Sequence, residues 1–206
     1  ENNMTTNPIF SNAREIFTIE AQAIHNLKNS TKDSFEAAFH LINNCEGNIV
    51  IMAVGKSGII GEKIAATFSS LGIPSVFIHA TEAVHGDMGK IRSKDVCVYI
   101  SHSGNTEEIV NVINHLKNFG NKSIAITGND KSILASSVDV HINTGVKREV
   151  DQRDLAPTSS AIATLAIGDA LALTIADNRG FTKSDFFRYH PGGNLGKTLS
   201  NELADE

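Results

Sequence analysis

The sequence predicts an α/β fold, a doubly wound three-layer sandwich in which a parallel sheet lies between helices. From residue 48 onward, short apolar runs of strand character alternate with segments whose apolar residues recur at helical spacing. This alternation is typical of parallel sheets, because the helices that connect successive strands cover both faces. Ligands of such folds bind in loops at the carboxyl ends of the strands, so these loops are where we expect a functional site.

The N-terminal segment has helical rather than strand character. Residues 1–8 are polar and end in Pro8, which indicates a loose lead-in. Apolar residues three and four positions apart predict an amphipathic helix over 10–28. Thr31 is a candidate N-cap for a second helix that ends near Gly47. We interpret residues 9–45 as a helical lead-in that packs against the sheet core.

The remaining strands and helices are predicted to form one domain with that lead-in. The predicted strands are 49–54, 75–79, 96–101, 123–127 and 138–142, and the predicted helices include 58–71, a helix after Thr106 and another over 182–188. The apolar segment 161–176 carries Asp169 and is shorter than a membrane span, so it is predicted to be a buried helix. No linker is evident, and 1–206 is predicted as a single domain with its sheet core and C-terminal helices over 48–200.

Composition argues against several classes of protein. The 206 residues are 41% hydrophobic and 20% charged, as in an ordinary globular protein, and the net charge of −5 gives no signature of nucleic-acid or membrane binding. Cys45 and Cys97 are far apart, so we expect neither a disulfide framework nor a zinc site, and a cytoplasmic location. No charged-then-apolar leader opens the sequence, and its first residue is Glu, which suggests a trimmed or engineered start.

The stretch 99–109 (YISHSGNTEEI) joins a predicted strand to a predicted helix and is expected to bind phosphate. Ser101, Ser103 and Thr106 supply hydroxyls beside the free N–H groups of a helix start, and Gly104 lets the backbone approach an anion. We call residues 101–106 the serine loop. The alternative reading is an ordinary N-cap by Ser103 or Asn105.

Three familiar motifs do not fit this sequence. Residues 55–61 (GKSGIIG) follow a strand, but their glycines do not match G-x-G-x-x-G, so a dinucleotide site is not expected. The first glycine that a P-loop requires is replaced by Val50. Ser101 and Asn105 occupy the glycine positions of a hydrolase nucleophile elbow around Ser103.

Other strand-end loops carry candidate functional residues. In 55–58 (GKSG), Lys56 is a candidate for neutralising an anion or a developing oxyanion, with a solvated surface lysine as the alternative. His79, Glu82, His85 and Asp87 follow the second strand, but their spacing matches no usual metal site, so we interpret them as polar lining.

Two segments near the C-terminal end complete the set of candidates. The loop 146–155 is charged, and a charge run of this kind is usually a solvated face. The alternative is that Glu149 points inward, which the place of the loop between a strand and a helix start favours. The segment 190–196 (HPGGNLG) is either a flexible terminus or a catalytic loop that carries His190.

These segments together resemble the sugar isomerase (SIS) domain of phosphosugar-binding proteins and, within it, the arabinose-5-phosphate isomerases. The resemblance runs from about residue 48 to 196, and its carriers are 55–58 (GKSG), 82–87 (EAVHGD), 101–104 (SHSG), 155–160 (LAPTSS), 168–171 (GDAL) and 190–196 (HPGGNLG). It implies a flavodoxin-like fold with a five-stranded parallel sheet. It also implies interconversion of D-ribulose 5-phosphate and D-arabinose 5-phosphate, which supplies Kdo for lipopolysaccharide or capsule synthesis.

The resemblance also implies roles for individual residues. The family's catalytic positions fall on Lys56, Glu108, Glu149 and His190, and His85 is a further catalytic candidate. The family's phosphate contacts fall on the serine loop, with Ser101, Ser103, Gly104, Asn105 and Thr106. Further substrate-binding candidates are Ser57, Gly72, Ile73, His79 and His85. A zinc-sensitive histidine of the family falls on His79, which would make metal inhibitory rather than required.

Two departures from the family pattern stand out. Long members carry a pair of CBS modules after this domain, whereas this sequence ends at Glu206, which implies a naturally short form or a truncated one. The loop 149–155 is charged where many relatives have a Cys-Pro-Leu-Gly-like stretch. We therefore expect the details of substrate recognition, more than the type of reaction, to differ from those relatives.

Aldose–ketose exchange moves a proton between adjacent carbons through an enediol and needs no redox cofactor. We assign the phosphate to the serine loop and oxyanion stabilisation to Lys56. The carbon-bound proton is assigned to Glu149 or Glu108, with Glu82 in reserve, and the hydroxyl protons to His190 or His85. The sequence does not separate the members of each pair.

The predicted partner is a small phosphosugar, with no nucleic acid and no membrane. A non-catalytic phosphosugar sensor is the alternative from another class, but such regulators would carry a DNA-binding arm, and no cluster of basic residues precedes Asn48. An isomerase for another ketose phosphate, such as a hexulose or heptulose phosphate, is the nearer alternative. The apolar helix after Thr158 predicts a homo-oligomer, a tetramer, because one domain would not cover it.

Overall fold

The computed structural model describes residues 8–192, and a sheet of parallel strands lies at its centre. The strands are β1 (Ile49–Ala53), β2 (Ser75–His79), β3 (Val96–Ile100), β4 (Lys122–Thr127) and β5 (Val140–Asn143). Their order across the sheet is β2-β1-β3-β4-β5, and each neighbouring pair is parallel. This is the flavodoxin-like strand order, and it confirms the predicted doubly wound fold.

Helices cover both faces of the sheet. They are α1 (Pro8–Ser30), α2 (Lys32–Asn43), α3 (Gly55–Ser70), α4 (Ala80–Ala83), α5 (Glu107–Leu116), α6 (Ile133–Ser137), α7 (Ser159–Asn178) and α8 (Lys183–Tyr189). The two helices predicted before the sheet are both present. Thr31 precedes α2 as expected, but its hydroxyl donates to the Leu27 carbonyl at 2.8 Å, so its predicted role as a side-chain cap was wrong.

Alternate residues of each central strand face opposite sides of the sheet and form two cores. Ile49 and Ile51 of β1 belong to the core shared with α2, α3 and α7, whereas Val50 and Met52 belong to the core shared with α5 and α6. All residues of β1 and β3 are buried. The loops at the carboxyl ends of these two strands are therefore held by a rigid frame.

The helix α7 packs against α3 in the middle of one face. A Cβ atom on Gly168 would lie 2.5 Å from Cγ1 of Ile64, so glycine permits the close approach of the two helices. The predicted buried helix is confirmed, but it runs beyond 161–176 because Ser159 and Ser160 form its first turn. At 20 residues it is long and apolar enough, by length and composition alone, to span a membrane, and 56% of its apolar window is buried inside the chain.

The helix α3 was predicted to begin at residue 58 but begins at Gly55. Gly55 has a φ of +57°, a left-handed conformation that glycine adopts readily, so the chain turns directly from β1 into the helix. Lys56 and Ser57 therefore lie in the first helical turn. The unpaired N–H groups of that turn face the carboxyl end of the sheet.

Candidate active site

From β1 the chain adds β2 on one side and then β3 on the other, so the order of strands reverses between β1 and β3. Doubly wound folds bind ligands in the crevice at such a point. The start of α3 and the serine loop, which leads from β3 to α5, border this crevice. Both helices present the N–H groups of their first turn there, an arrangement that favours an anion.

Hydrogen bonds among its own residues hold the serine loop in one conformation. The Ser101 and Thr106 hydroxyl oxygens lie 2.7 Å apart, and the Gly104 N–H donates to Ser101 Oγ at 3.1 Å. Gly104 has a φ of +66°, and a side chain there would overlap Ser132. Ser103 is exposed; its Oγ accepts the Asn105 N–H at 3.2 Å and lies 3.4 Å from Ser101 Oγ, and its exposed side leaves it open to a ligand.

The alternative reading of this loop as an ordinary N-cap was wrong. The residue before α5 is Thr106, and its side chain makes no capping hydrogen bond. The Asn105 carboxamide oxygen accepts the Ile133 N–H at 2.9 Å and so ties the loop to α6. The first N–H groups of α5 are not satisfied by either predicted cap.

A pocket of about 230 Å³ opens beside the serine loop, and we call it the strand-end pocket. The residues that line it come from the first turns of α3, the end of β3, the serine loop, the loop after β5 and the first turns of α7. They are Ser57, Ile60, Ile100, His102, Lys147, Glu149, Asp154, Leu155, Pro157, Ser160, Ala161 and Thr164. The structure therefore brings two of the predicted site residues, Ser57 and Glu149, to one cavity.

Glu149 points inward and caps α7. Its Oε2 accepts the Thr158 N–H at 2.8 Å, the Thr158 hydroxyl at 3.0 Å and the Ser160 N–H at 3.1 Å. Partial burial raises the pKa of Glu149, but the hydrogen bonds from Ser160 and Thr158 outweigh it and leave the pKa below its ordinary value. All three of these bonds go to Oε2, so Oε1 is the oxygen available to a ligand.

Three polar residues of the pocket, His102, Lys147 and Asp154, were not predicted as site residues from the sequence. His102 lies inside the serine loop, and the Gly128 N–H donates to its carbonyl at 2.8 Å. A Cβ atom on Gly128 would lie 2.6 Å from Nδ1 of His102, so glycine makes room for the imidazole. Lys147 is two residues before Glu149, a spacing that puts both side chains on one side of an extended segment, which was the signal available in the sequence.

A protein-family model described as the SIS domain matches residues 41–174, which contain the whole sheet and most of α7. The chain belongs to the SIS domain family. It is 43% identical to the arabinose 5-phosphate isomerase KpsF of Escherichia coli O6:H1 over 96% of this chain and 61% of that protein. It is 42% identical to KdsD of Pseudomonas aeruginosa over 98% of this chain and 63% of that protein.

The chain is also similar to a solved structure. This SIS domain superposes on E. coli CFT073 c3406, solved in complex with arabinose 5-phosphate, with a TM-score of 0.87 and 40% identity, covering 91% of this chain and 100% of that chain. The chain spans 58% to 63% of the length of the curated relatives it matches.

Lys56 and Glu108 lie near the strand-end pocket but do not line it. Each is exposed in the first turn of its helix, Lys56 in α3 and Glu108 in α5. Because these helices follow the neighbouring strands β1 and β3, both residues border the crevice of this SIS domain. The roles of Lys56 and Glu108 in the site stay predictions.

His79, Glu82 and His85 lie around α4, at the outer edge of the sheet, and none of them is fully buried. Nδ1 of His79 accepts the Thr81 N–H at 3.4 Å, which leaves Nε2 open. Residues 8–192 contain no group of three or more histidine, cysteine, aspartate or glutamate side chains that could hold a metal ion. The side chains after β2 do not form a metal centre within the described part of one chain.

His190, Gly72 and Ile73 lie at the opposite end of the sheet from the pocket. The His190 ring stacks on Phe186 with ring centroids 3.8 Å apart, and its Nε2 lies 3.3 Å from the Ser70 hydroxyl. Ser70 ends α3, whereas Lys56 begins it, and a helix of that length separates them by about 20 Å.

Ile73 is only 2% exposed, and Gly72 packs against Phe181 and Tyr189. Residues 193–196 of the glycine-rich tail lie outside the described residues.

Proposed function

We propose that this SIS domain is an aldose–ketose isomerase that interconverts D-ribulose 5-phosphate and D-arabinose 5-phosphate through an enediol. One observation carries the proposal: the inward-facing Glu149 carboxylate and the Lys147 ammonium line the same pocket beside the serine loop, whose hydroxyls and N–H groups suit an anion. A base, a cation and a phosphate anchor in one crevice are what this proton transfer requires. The likeness to c3406, whose structure holds arabinose 5-phosphate, supports the same reaction.

The phosphate is assigned to the serine loop. The exposed Ser103 hydroxyl and the free N–H groups at the start of α5 supply donors, and the positive end of the helix dipole adds attraction. Gly104 and Asn105 shape the backbone around it. Ser57, in the first turn of α3, lines the pocket where the sugar carbons would lie.

Glu149 is the proposed base for the carbon-bound proton. Its lowered pKa keeps the carboxylate ionised at neutral pH, and the three hydrogen bonds on Oε2 fix the direction of Oε1. Lys147, Lys56 or both would stabilise the oxyanion that develops on the enediol. Glu108 and Glu82 are the alternative bases, but neither lines the pocket.

The hydroxyl protons are assigned to histidines. His102 already lines the pocket, whereas His85 and His190 do not, and His190 is at the far end of α3. If His190 takes part, it enters from a second copy of the chain. Phe17 of α1 and Leu173 of α7 expose 63% and 52% of their surface, which supports a homo-oligomer, with a tetramer as the proposed state.

The wider role follows from the reaction. The proposed enzyme works in the cytoplasm without a cofactor, and its product feeds Kdo synthesis for lipopolysaccharide or capsule. Its partners are small phosphosugars, and zinc would inhibit by binding at His79.

The test is proton NMR of the purified protein with ribulose 5-phosphate in deuterated water. An enediol mechanism produces the arabinose aldose with deuterium at C2. Binding without any aldose product would instead identify a phosphosugar sensor. Turnover only with a hexulose or heptulose phosphate would identify an isomerase for that substrate.

A further inference from the structure

Asp154 is the one residue other than glycine, among residues 8–192, whose φ is positive, at +56°. Residues with a side chain seldom adopt this left-handed conformation, and aspartate and asparagine tolerate it better than others. Backbone strain of this kind persists only where surrounding contacts hold it, and it concentrates at functional sites.

Two hydrogen bonds hold Asp154 in place. Its N–H donates to the Asp151 carbonyl at 2.7 Å, which closes a tight turn. Its Oδ1 accepts the Glu149 N–H at 2.6 Å. The left-handed conformation therefore directs a carboxylate onto the backbone of the proposed base.

Glu149 is thus held from two sides. Asp154 holds its backbone, and α7 holds its carboxylate through Thr158 and Ser160. The Val150 N–H adds a bond to the Thr158 hydroxyl at 3.0 Å. Glu149 lies in neither a helix nor a strand, so these side-chain bonds replace the support that a regular element would otherwise give.

We infer that Asp154 is a positioning residue, whose carboxylate fixes the Glu149 backbone and so the direction in which Glu149 faces the strand-end pocket. A carboxylate suits this role because its hydrogen bonds to N–H groups are shorter and stronger than those of neutral acceptors. The kinetic readout of this inference rests on the proposed function, whereas its spectroscopic readout does not.

Three substitutions separate the conformation of Asp154 from its hydrogen bond. Asp154→Asn keeps both the left-handed conformation and an acceptor, Asp154→Gly keeps only the conformation, and Asp154→Ala keeps neither. We expect Asp154→Asn to retain most of kcat, Asp154→Gly to lose about tenfold and Asp154→Ala more than that, with KM within about threefold, since small displacements of a catalytic group cost this much.

The second readout is the titration of the Glu149 side-chain carboxyl carbon by NMR in the same variants. In Asp154→Ala we expect the Glu149 pKa to rise toward its ordinary value, because the bonds from Thr158 and Ser160 loosen. Gly120→Ala is the matched control: Gly120 also has a positive φ, at +74°, but lies before β4, at the opposite end of the sheet from the pocket. It should change neither kcat nor the Glu149 titration.

Specific outcomes would overturn the inference. An unchanged kcat in Asp154→Gly would show that the carboxylate is not needed. A loss in Asp154→Asn as large as in Asp154→Ala, with KM raised in all three variants, would show direct contact with the substrate. Wild-type protein without turnover would instead defeat the proposed isomerase, and the Glu149 titration would still decide the role of Asp154.

Discussion

Oε2 of Glu149 lies 2.8 Å from the backbone nitrogen of Thr158, so the proposed base also caps the helix that follows it. The bonds that hold the carboxylate also lower its pKa. A carboxylate held in this way has a fixed direction but reduced basicity. In the proposed reaction, orientation must therefore compensate for basicity.

Glu149→Gln is the most direct test of the base. The amide keeps the shape of the side chain and an oxygen for capping but cannot accept the carbon-bound proton. We expect kcat to fall at least about a hundredfold with little change in KM, within the usual range for loss of a general base. Steady-state kinetics with ribulose 5-phosphate gives both values.

Two matched variants interpret that result. Asp151→Asn changes a carboxylate two residues away that bonds Arg153 at 3.1 Å, and it should be nearly silent. Near-normal turnover in Glu149→Gln alongside a collapse in Glu108→Gln would place the base at the start of α5.

Glu149 should also make stability depend on pH. Its pKa lies below the ordinary value of 4.5 in the folded chain, so the ionised carboxylate stabilises the fold above that pH. This contribution is lost as the pH falls through the folded-state pKa. Urea unfolding at pH 7 and near pH 3 should show a smaller acid-induced loss for Glu149→Gln than for the wild type. An equal reduction for Glu36→Gln, an exposed control on α2, would contradict this cause.

Ser103→Ala should weaken substrate binding. The exposed hydroxyl is proposed to donate to the phosphate, and loss of such a charge-assisted bond raises KM by roughly one to two orders of magnitude. The melting temperature should stay near that of the wild type. Ser136→Ala removes an exposed hydroxyl from α6 and should leave KM unchanged. An unchanged KM in Ser103→Ala would remove the serine loop from the site.

Zinc and chelators should act in opposite ways. A chelator should leave activity intact, and micromolar zinc should inhibit, because Nε2 of His79 is open to a metal at the outer edge of the sheet. His79→Ala should reduce the inhibition, whereas His115→Ala, on α5, should not. Activity that disappears on chelation and returns when metal is added would contradict the cofactor-free mechanism.

Mixed oligomers should reveal whether His190 acts across subunits. Glu149→Gln and His190→Ala change residues at opposite ends of the sheet within one chain. If a second copy supplies the histidine, co-expressed chains of the two variants can therefore assemble intact sites. We expect activity well above that of either variant alone, and light scattering should show an oligomer. Glu149→Gln paired with Lys147→Ala should not recover, because both changes affect the same pocket. A monomer at micromolar concentration would contradict the proposal.

The sequence was sufficient for the sheet because β1 and β3 are buried on both faces and so appear as continuous apolar runs. The early start of α3 was missed because the sequence does not reveal that Gly55 is left-handed. The inward direction of Glu149 was predicted from its place before a helix. Its bonds to Thr158 and Ser160 were not, because they join positions nine and eleven residues apart through an irregular loop.

The position of His190 could not be read from the sequence either. Its place depends on how α8 folds back onto the end of α3, which is a tertiary relationship between residues 120 positions apart. The resemblance assigned it to the catalytic set without indicating which end of the sheet, or which chain, supplies it.

The contact between His102 and Gly128 constrains how this sequence can vary. Because a methyl group at position 128 would occupy the space of the imidazole, the two positions cannot drift independently. A homologue with a larger residue at 128 must carry a smaller or differently oriented side chain at 102, which would change the wall of the pocket at the same time.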